Sequence, residues 1–175
     1  MDFNNVENAF RGKTNGDLAR AYILFKLLAN SGMVKIANKL LGIALSIKMP
    51  VAWIIKPTVY KHFVGGETIE GCKKSVHQLE KFNVKAILDY SVEGKESIDD
   101  IENALSETLK SIKNAAIEPN IPFAVFKPTA FTRADILEKV SAAEKLSDED
   151  KKEADNFRSR IRQLCQAAFD ANSPI

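Results

Sequence analysis

The sequence predicts an α/β fold, a βαβ unit preceded by a basic helical arm. Three observations predict it. Two short apolar runs, "NVKAILDY" and "FAVFKPTAF", flank a long segment whose apolar residues recur every three or four positions. Strands separated by such a helix cannot close a hairpin, so they should lie parallel, joined by a right-handed crossover. The charge is also divided. Residues 1–64 hold nine Lys/Arg against three Asp/Glu and residues 65–175 hold sixteen against twenty, so the formal net charge of +2 conceals a basic first third.

At 45% hydrophobic and 27% charged residues, the 175-residue chain carries enough apolar material for one core. Cys72 and Cys165 stand far apart in different predicted helices, which suits neither a metal-ligand pair nor a disulfide framework; both read as small core thiols in a reducing compartment. His62 and His77 lack a companion at ligand spacing, so no metal site is expected. The opening "MDFNNVENAF" has neither a basic n-region nor an Arg-rich, acid-poor character, so no signal or transit peptide is seen. The expected location is the cytoplasm, with peripheral contact on the inner face of the cytoplasmic membrane as the variant.

The arm, residues 1–64, is apolar at helical spacing but interrupted by Lys35, Lys39, Lys48 and Lys56, so it offers no uncharged span of about 18 residues that could cross a bilayer. Two readings stand: helices packed against the rest of the protein or a missing remainder of it, or a helix lying on an anionic membrane surface. Trp53 suits either, as a core residue or an interfacial anchor. Few aromatics are interleaved with its basic residues, which argues against nucleic acid as a partner.

Gly65 and Gly66 mark a turn and Thr68 a helix N-cap, after which Ile69, Cys72, Val76 and Leu79 predict a helix to about Lys81. The first strand follows. Beyond Gly94, Ile98, Ile101, Leu105, Leu109 and Ile112 share one helix face, with acids in the first turn where the helix dipole favours them. "EPNIP" ends that helix and the second strand begins. A short helix around Ile136 to Val140 and a charged one with Phe157, Ile161, Leu164 and Ala168 as its stripe complete the pattern, the charged face of the latter reading as solvated surface. The last residues, "SPI", resemble a loop entering a third strand.

Ligands of α/β folds gather where strands end, because the strand bodies are buried. Asp89 follows "AIL" and Lys127 follows "FAVF", so both leave neighbouring strands at the same end, with Glu93 close behind Asp89. A lysine beside carboxylates can anchor an anionic substrate or, with a lowered pKa, act as a nucleophile. Equally, Lys127 and Asp89 can pair for structural reasons alone.

The stretch "GGETIEGCKKSVHQLEKFNVKAILDYSVEG" followed by "PFAVFKPTAF", with the arm "AFRGKTNGDLARAYILFKL" before them, resembles the first part of the FAD-dependent proline dehydrogenases. The resemblance implies the N-terminal portion of a (β/α)8 TIM-type barrel, over residues 65–175, behind the helical arm. It implies oxidation of L-proline to 1-pyrroline-5-carboxylate, hydride passing to FAD and electrons onward to a membrane quinone. By the same match Lys127 contacts the substrate carboxylate, Asp89 lines the pocket as its companion catalytic residue, and Glu93 stands behind them. Such a barrel takes about 250 residues, and the pattern here gives two strands and a stub. The expectation is therefore a barrel incomplete before its third strand, with most FAD contacts beyond Ile175 and a chain inactive alone. Two rival functions share these residues: a Schiff-base lyase using Lys127 as a free amine, and a non-catalytic interaction module.

Overall fold

The computed structural model describes residues 4–90 and 97–175, and these fall into two compact units, one ending at Glu67 and one beginning at Thr68.

The first unit is helical: α1 (Val6–Phe10), α2 (Asn15–Leu28), α3 (Ser31–Ser46), α4 (Ala52–Ile55) and α5 (Lys61–Phe63), with a π-helical turn at Lys56–Tyr60 between the last two. Side-chain oxygens start the long helices. Thr14 Oγ1 accepts from the Asp17 amide at 3.2 Å while Asp17 Oδ2 accepts from the Thr14 amide at 3.3 Å, a reciprocal capping box. The Thr14 hydroxyl also holds the Asp17 carboxyl below the usual carboxylate range. Asn30 Oδ1 accepts from the amides of Gly32 and Met33 and begins α3. Pro57 brings no amide to the helical ladder, and the wider π turn forms at that point. Thr58 Oγ1 donates to the Ile54 carbonyl at 2.6 Å there. Phe25 of α2 meets the rings of His62 and Phe63 of α5 edge to face, with centroids 5.1 and 6.1 Å apart. None of the residues of α1 to α5 is buried, and Trp53 is among the most exposed. No helix of the described residues is long and apolar enough to cross a membrane.

The second unit holds the core. Its helices are α6 (Ile69–Glu80), α7 (Ile98–Ile117), α8 (Ala134–Ser141) and α9 (Asp148–Asp170). Thr68, Ser97 and Ser147 cap α6, α7 and α9, and acids fill the first turns of α7 and α9. Ile101, Leu105 and Ile112 of α7 are buried, as expected, and Leu164 and Ala168 of α9 face the same core with Phe157 and Ile161 at its margin; Ile98 stands exposed instead. Cys165 is exposed because the next position around a helix is turned by about 100° from Leu164. The Cys72 thiol is half-buried, and that burial pushes its pKa up. The two cysteines are therefore not a pair of core thiols.

The α/β prediction is met in its helices and not in its two strands. The described residues are helical and contain no regular strand. The first apolar run is an unassigned segment over 84–90, and the second is split into an irregular segment, 121–127, and a 3-10 turn at Pro128–Ala130. The segments do run side by side. The Ala86 amide donates to the Asn120 carbonyl at 2.9 Å, and the Ala124 amide donates to the Pro174 carbonyl at 3.0 Å, so residues 84–90, 119–127 and 173–175 are consecutive neighbours. Among the described residues these bonds do not repeat as a ladder requires, and Pro128 halts the middle segment. Ala86, Leu88, Ile121, Ala124 and Phe126 still point apolar groups into the α7–α9 core.

Arg133, Asp135, Lys139 and Asp150 form a cluster joining α8 and its entry to α9, with Lys139 Nζ 3.0 Å from Asp150 and 3.1 Å from Asp135. Lys139, foremost, and Arg133 hold the Asp150 carboxyl below the usual range, and Arg133 and then Lys139 do the same for Asp135. Carboxyls depressed in the folded state stabilise it above their unfolded pKa of about 3.9. That contribution disappears as pH falls through the lower folded values. An Asp150→Asn variant should thus lose stability against wild type at pH 6 but approach it in strong acid, as read by urea melts at both pH values. Leu164→Ala should destabilise the second unit by about 2–5 kcal/mol at any pH, because it leaves a cavity at a fully buried site.

Candidate functional site

Asp89 and Lys127 meet. Lys127 Nζ lies 2.9 Å from Asp89 Oδ2, with the lysine side chain 42% and the aspartate side chain 39% exposed. They come together although 38 positions separate their numbers, because α7 returns the chain so that segment 119–127 lies beside segment 84–90.

Each side of the pair is held by its own contacts. Lys85 Nζ reaches across to donate to the Pro119 carbonyl and to Asn120 Oδ1, both at 2.8 Å, beside the backbone bond from Ala86. Further along, Asn103 of α7 donates to the Tyr90 hydroxyl at 3.2 Å. These contacts bracket Asp89. On the other side, Lys127 is extended at φ −111° and ψ 126°, as expected for a residue preceding proline, and its carbonyl accepts from the Ala130 amide at 3.0 Å. Phe126 and Phe131 flank that turn and stack edge to face 5.5 Å apart, with Phe131 only 1% exposed. Glu93 lies outside the described residues.

A residue that sequence reasoning passed over belongs to this neighbourhood. Arg160 of α9 is 8% exposed; its Nε donates to Glu102 of α7 at 2.9 Å and its Nη1 donates to Glu153 at 3.0 Å and to the Phe131 carbonyl at 3.1 Å. The signal was present: Arg160 stands three positions after Phe157 and four before Leu164, inside the apolar stripe.

Among the described residues, the ion pair sets an ammonium beside a carboxylate, both reachable from solvent, and such a pair matches the two charges of an amino-acid zwitterion. It does not match a flavin diphosphate, which needs several converging donors. The described residues around the pair therefore suit a small charged substrate, and none of them is assigned to a flavin.

Comparison with known proteins bears on which substrate. The chain is 34% identical over 122 residues to mitochondrial proline dehydrogenase 1 of Drosophila melanogaster, covering 66% of this chain and 17% of the relative. It is 32% identical over 126 residues to that of Caenorhabditis elegans, covering 68% and 19%. The chain is related to the proline dehydrogenases. A proline dehydrogenase 1 of Dictyostelium discoideum aligns at 27% identity over 98% of this chain and 28% of its own length. The chain thus spans less than a third of the length of these proline dehydrogenases. No family model matches the sequence. No solved structure matches it either.

Because both charges are well exposed, water screens the ion pair strongly. A double-mutant cycle with Asp89→Asn and Lys127→Met should return a coupling of about 0.2–1 kcal/mol. That coupling should shrink when the chemical melts are repeated in about 1 M salt.

Proposed function

We propose that this chain forms part of a proline dehydrogenase and supplies the charged pair that orients L-proline. The observation that carries the proposal is the similarity to proline dehydrogenases at 32–34% identity over about two thirds of the chain. The Lys127–Asp89 pair adds chemical sense to it. In this reading Lys127 turns its ammonium from Asp89 to the substrate carboxylate, and Asp89 faces the substrate amine. Each charge exchanges one partner for another of the same sign, so neither is left uncompensated while the ring is positioned. The reading assigns Glu93, outside the described residues, a supporting role to this pair.

The reading includes FAD, which supplies the redox chemistry when bound, with 1-pyrroline-5-carboxylate as product and a quinone as electron acceptor. It also takes segments 84–90 and 121–127 as the first two strands of a (β/α)8 barrel whose pairing is completed by further strands. The basic, apolar character of the arm agrees with peripheral contact at the cytoplasmic face of a membrane, where a quinone resides. An ammonium paired with a carboxylate is a poor Schiff-base nucleophile, which leaves the lyase reading without support.

The test is proline-dependent reduction of a quinone analogue by the complete protein that carries this segment. Turnover with L-proline, and none with pyrrolidine, which lacks the carboxylate, is expected; absence of proline turnover in a folded, flavin-loaded protein would reject the proposal. Lys127→Met should raise KM for proline about 10- to 100-fold, as loss of a charged hydrogen bond implies, while the exposed Lys110→Met serves as a neutral control.

A further inference from the structure

Arg160 is a charge buried where an apolar residue would pack more cheaply. Desolvating a guanidinium is expensive even when it is paired, and replacing such networks by apolar side chains is often neutral or stabilising. Its placement suggests what it does instead of adding stability. It sits in α9, its Nε engages Glu102 of α7, and Nη1 engages both Glu153 and the carbonyl of Phe131. Glu153 Oε1 also accepts from the hydroxyl of Thr132, which is 1% exposed. Two successive residues, Phe131 and Thr132, are therefore gripped by one polar network anchored on two helices.

Those residues end the turn that begins with Lys127. Within it the Ala130 amide donates to the Lys127 carbonyl and the Phe131 amide to the Pro128 carbonyl at 3.1 Å, and Pro128 fixes its own φ. The linkage from Arg160 to the Lys127 backbone thus runs through hydrogen bonds and one fixed φ. We infer that Arg160 is a positioning residue, setting through the Phe131 carbonyl and the 128–130 turn where the Lys127 ammonium stands over Asp89. The inference rests on the substrate role proposed above for its meaning in catalysis, but the mechanical link is independent of that role.

The experiment uses Arg160→Lys, which keeps the charge and loses the planar fork, alongside Arg160→Met and the milder Thr132→Val, which removes only the hydroxyl bond to Glu153. Two readouts need no turnover. The first is hydrogen exchange at the Ala130 and Phe131 amides. The second is acylation of Lys127 relative to the exposed lysines Lys110 and Lys151, followed by mass spectrometry. Positioning predicts that both rise about ten-fold in whichever Arg160 variant folds, with a smaller rise in Thr132→Val, while the reference lysines stay unchanged. In the complete protein the KM for proline should rise about ten-fold in Arg160→Lys with kcat within about two-fold. Unchanged exchange and unchanged relative Lys127 acylation in folded variants, with only a lower melting temperature, would overturn the inference and leave Arg160 structural. If the wild-type protein does not oxidise proline, the proposed function fails, and the exchange and acylation results still decide the role of Arg160.

Discussion

Ile112 of α7 and Leu164 of α9 are both withdrawn completely from water, and the contact surface between their helices is the floor on which the rest of the second unit is laid. The two helices are the longest in the chain, 20 and 23 residues, and each offers a continuous apolar stripe. Once they are packed, the chain leaving α7 has little choice. It runs over the seam, inserting Ile121 and Ala124, and is closed off by Phe126 and Phe131 on either side of Lys127. A lysine flanked by two anchored aromatics cannot slide along the core without exposing one of them, so its backbone register is set by burial and not by sheet pairing.

Two ionic networks of different character flank this core. Arg133, Asp135, Lys139 and Asp150 remain accessible to solvent and tie one helix to the next at modest energetic weight. At Arg160 the guanidinium itself is shielded, although Glu102 stands half-exposed, and its bonds join α7, α9 and the Phe131 carbonyl, so its contribution is to geometry. Their chemistry is similar, and the burial of the Arg160 guanidinium separates them.

The helices were legible because their signals are local. Thr68, Ser97 and Ser147 occupy cap positions, and the stripes of α7 and α9 recur at helical spacing. The strands were not recoverable in the same way, since an apolar run such as 84–90 becomes a strand only through neighbours, and among the described residues the junctions carry no repeated pairing. The proximity of Asp89 and Lys127 survived that failure because it depends on the helix returning the chain, which α7 does. Arg160 escaped notice for the opposite reason. A charged residue on a helix rich in charge reads as surface until its partners, Glu102 and the Phe131 carbonyl, are known, and both are distant in sequence.

The contrast between the cysteines gives the molecule a natural handle. Burial keeps the Cys72 thiol protonated to higher pH and poorly nucleophilic, whereas Cys165 projects into solvent from α9. A thiol-directed spin label or fluorophore will therefore attach first at Cys165, with no engineered cysteine needed. That position lies five residues along the same helix from Arg160. The native chain thus carries a selective reporter on the helix that bears its buried charge.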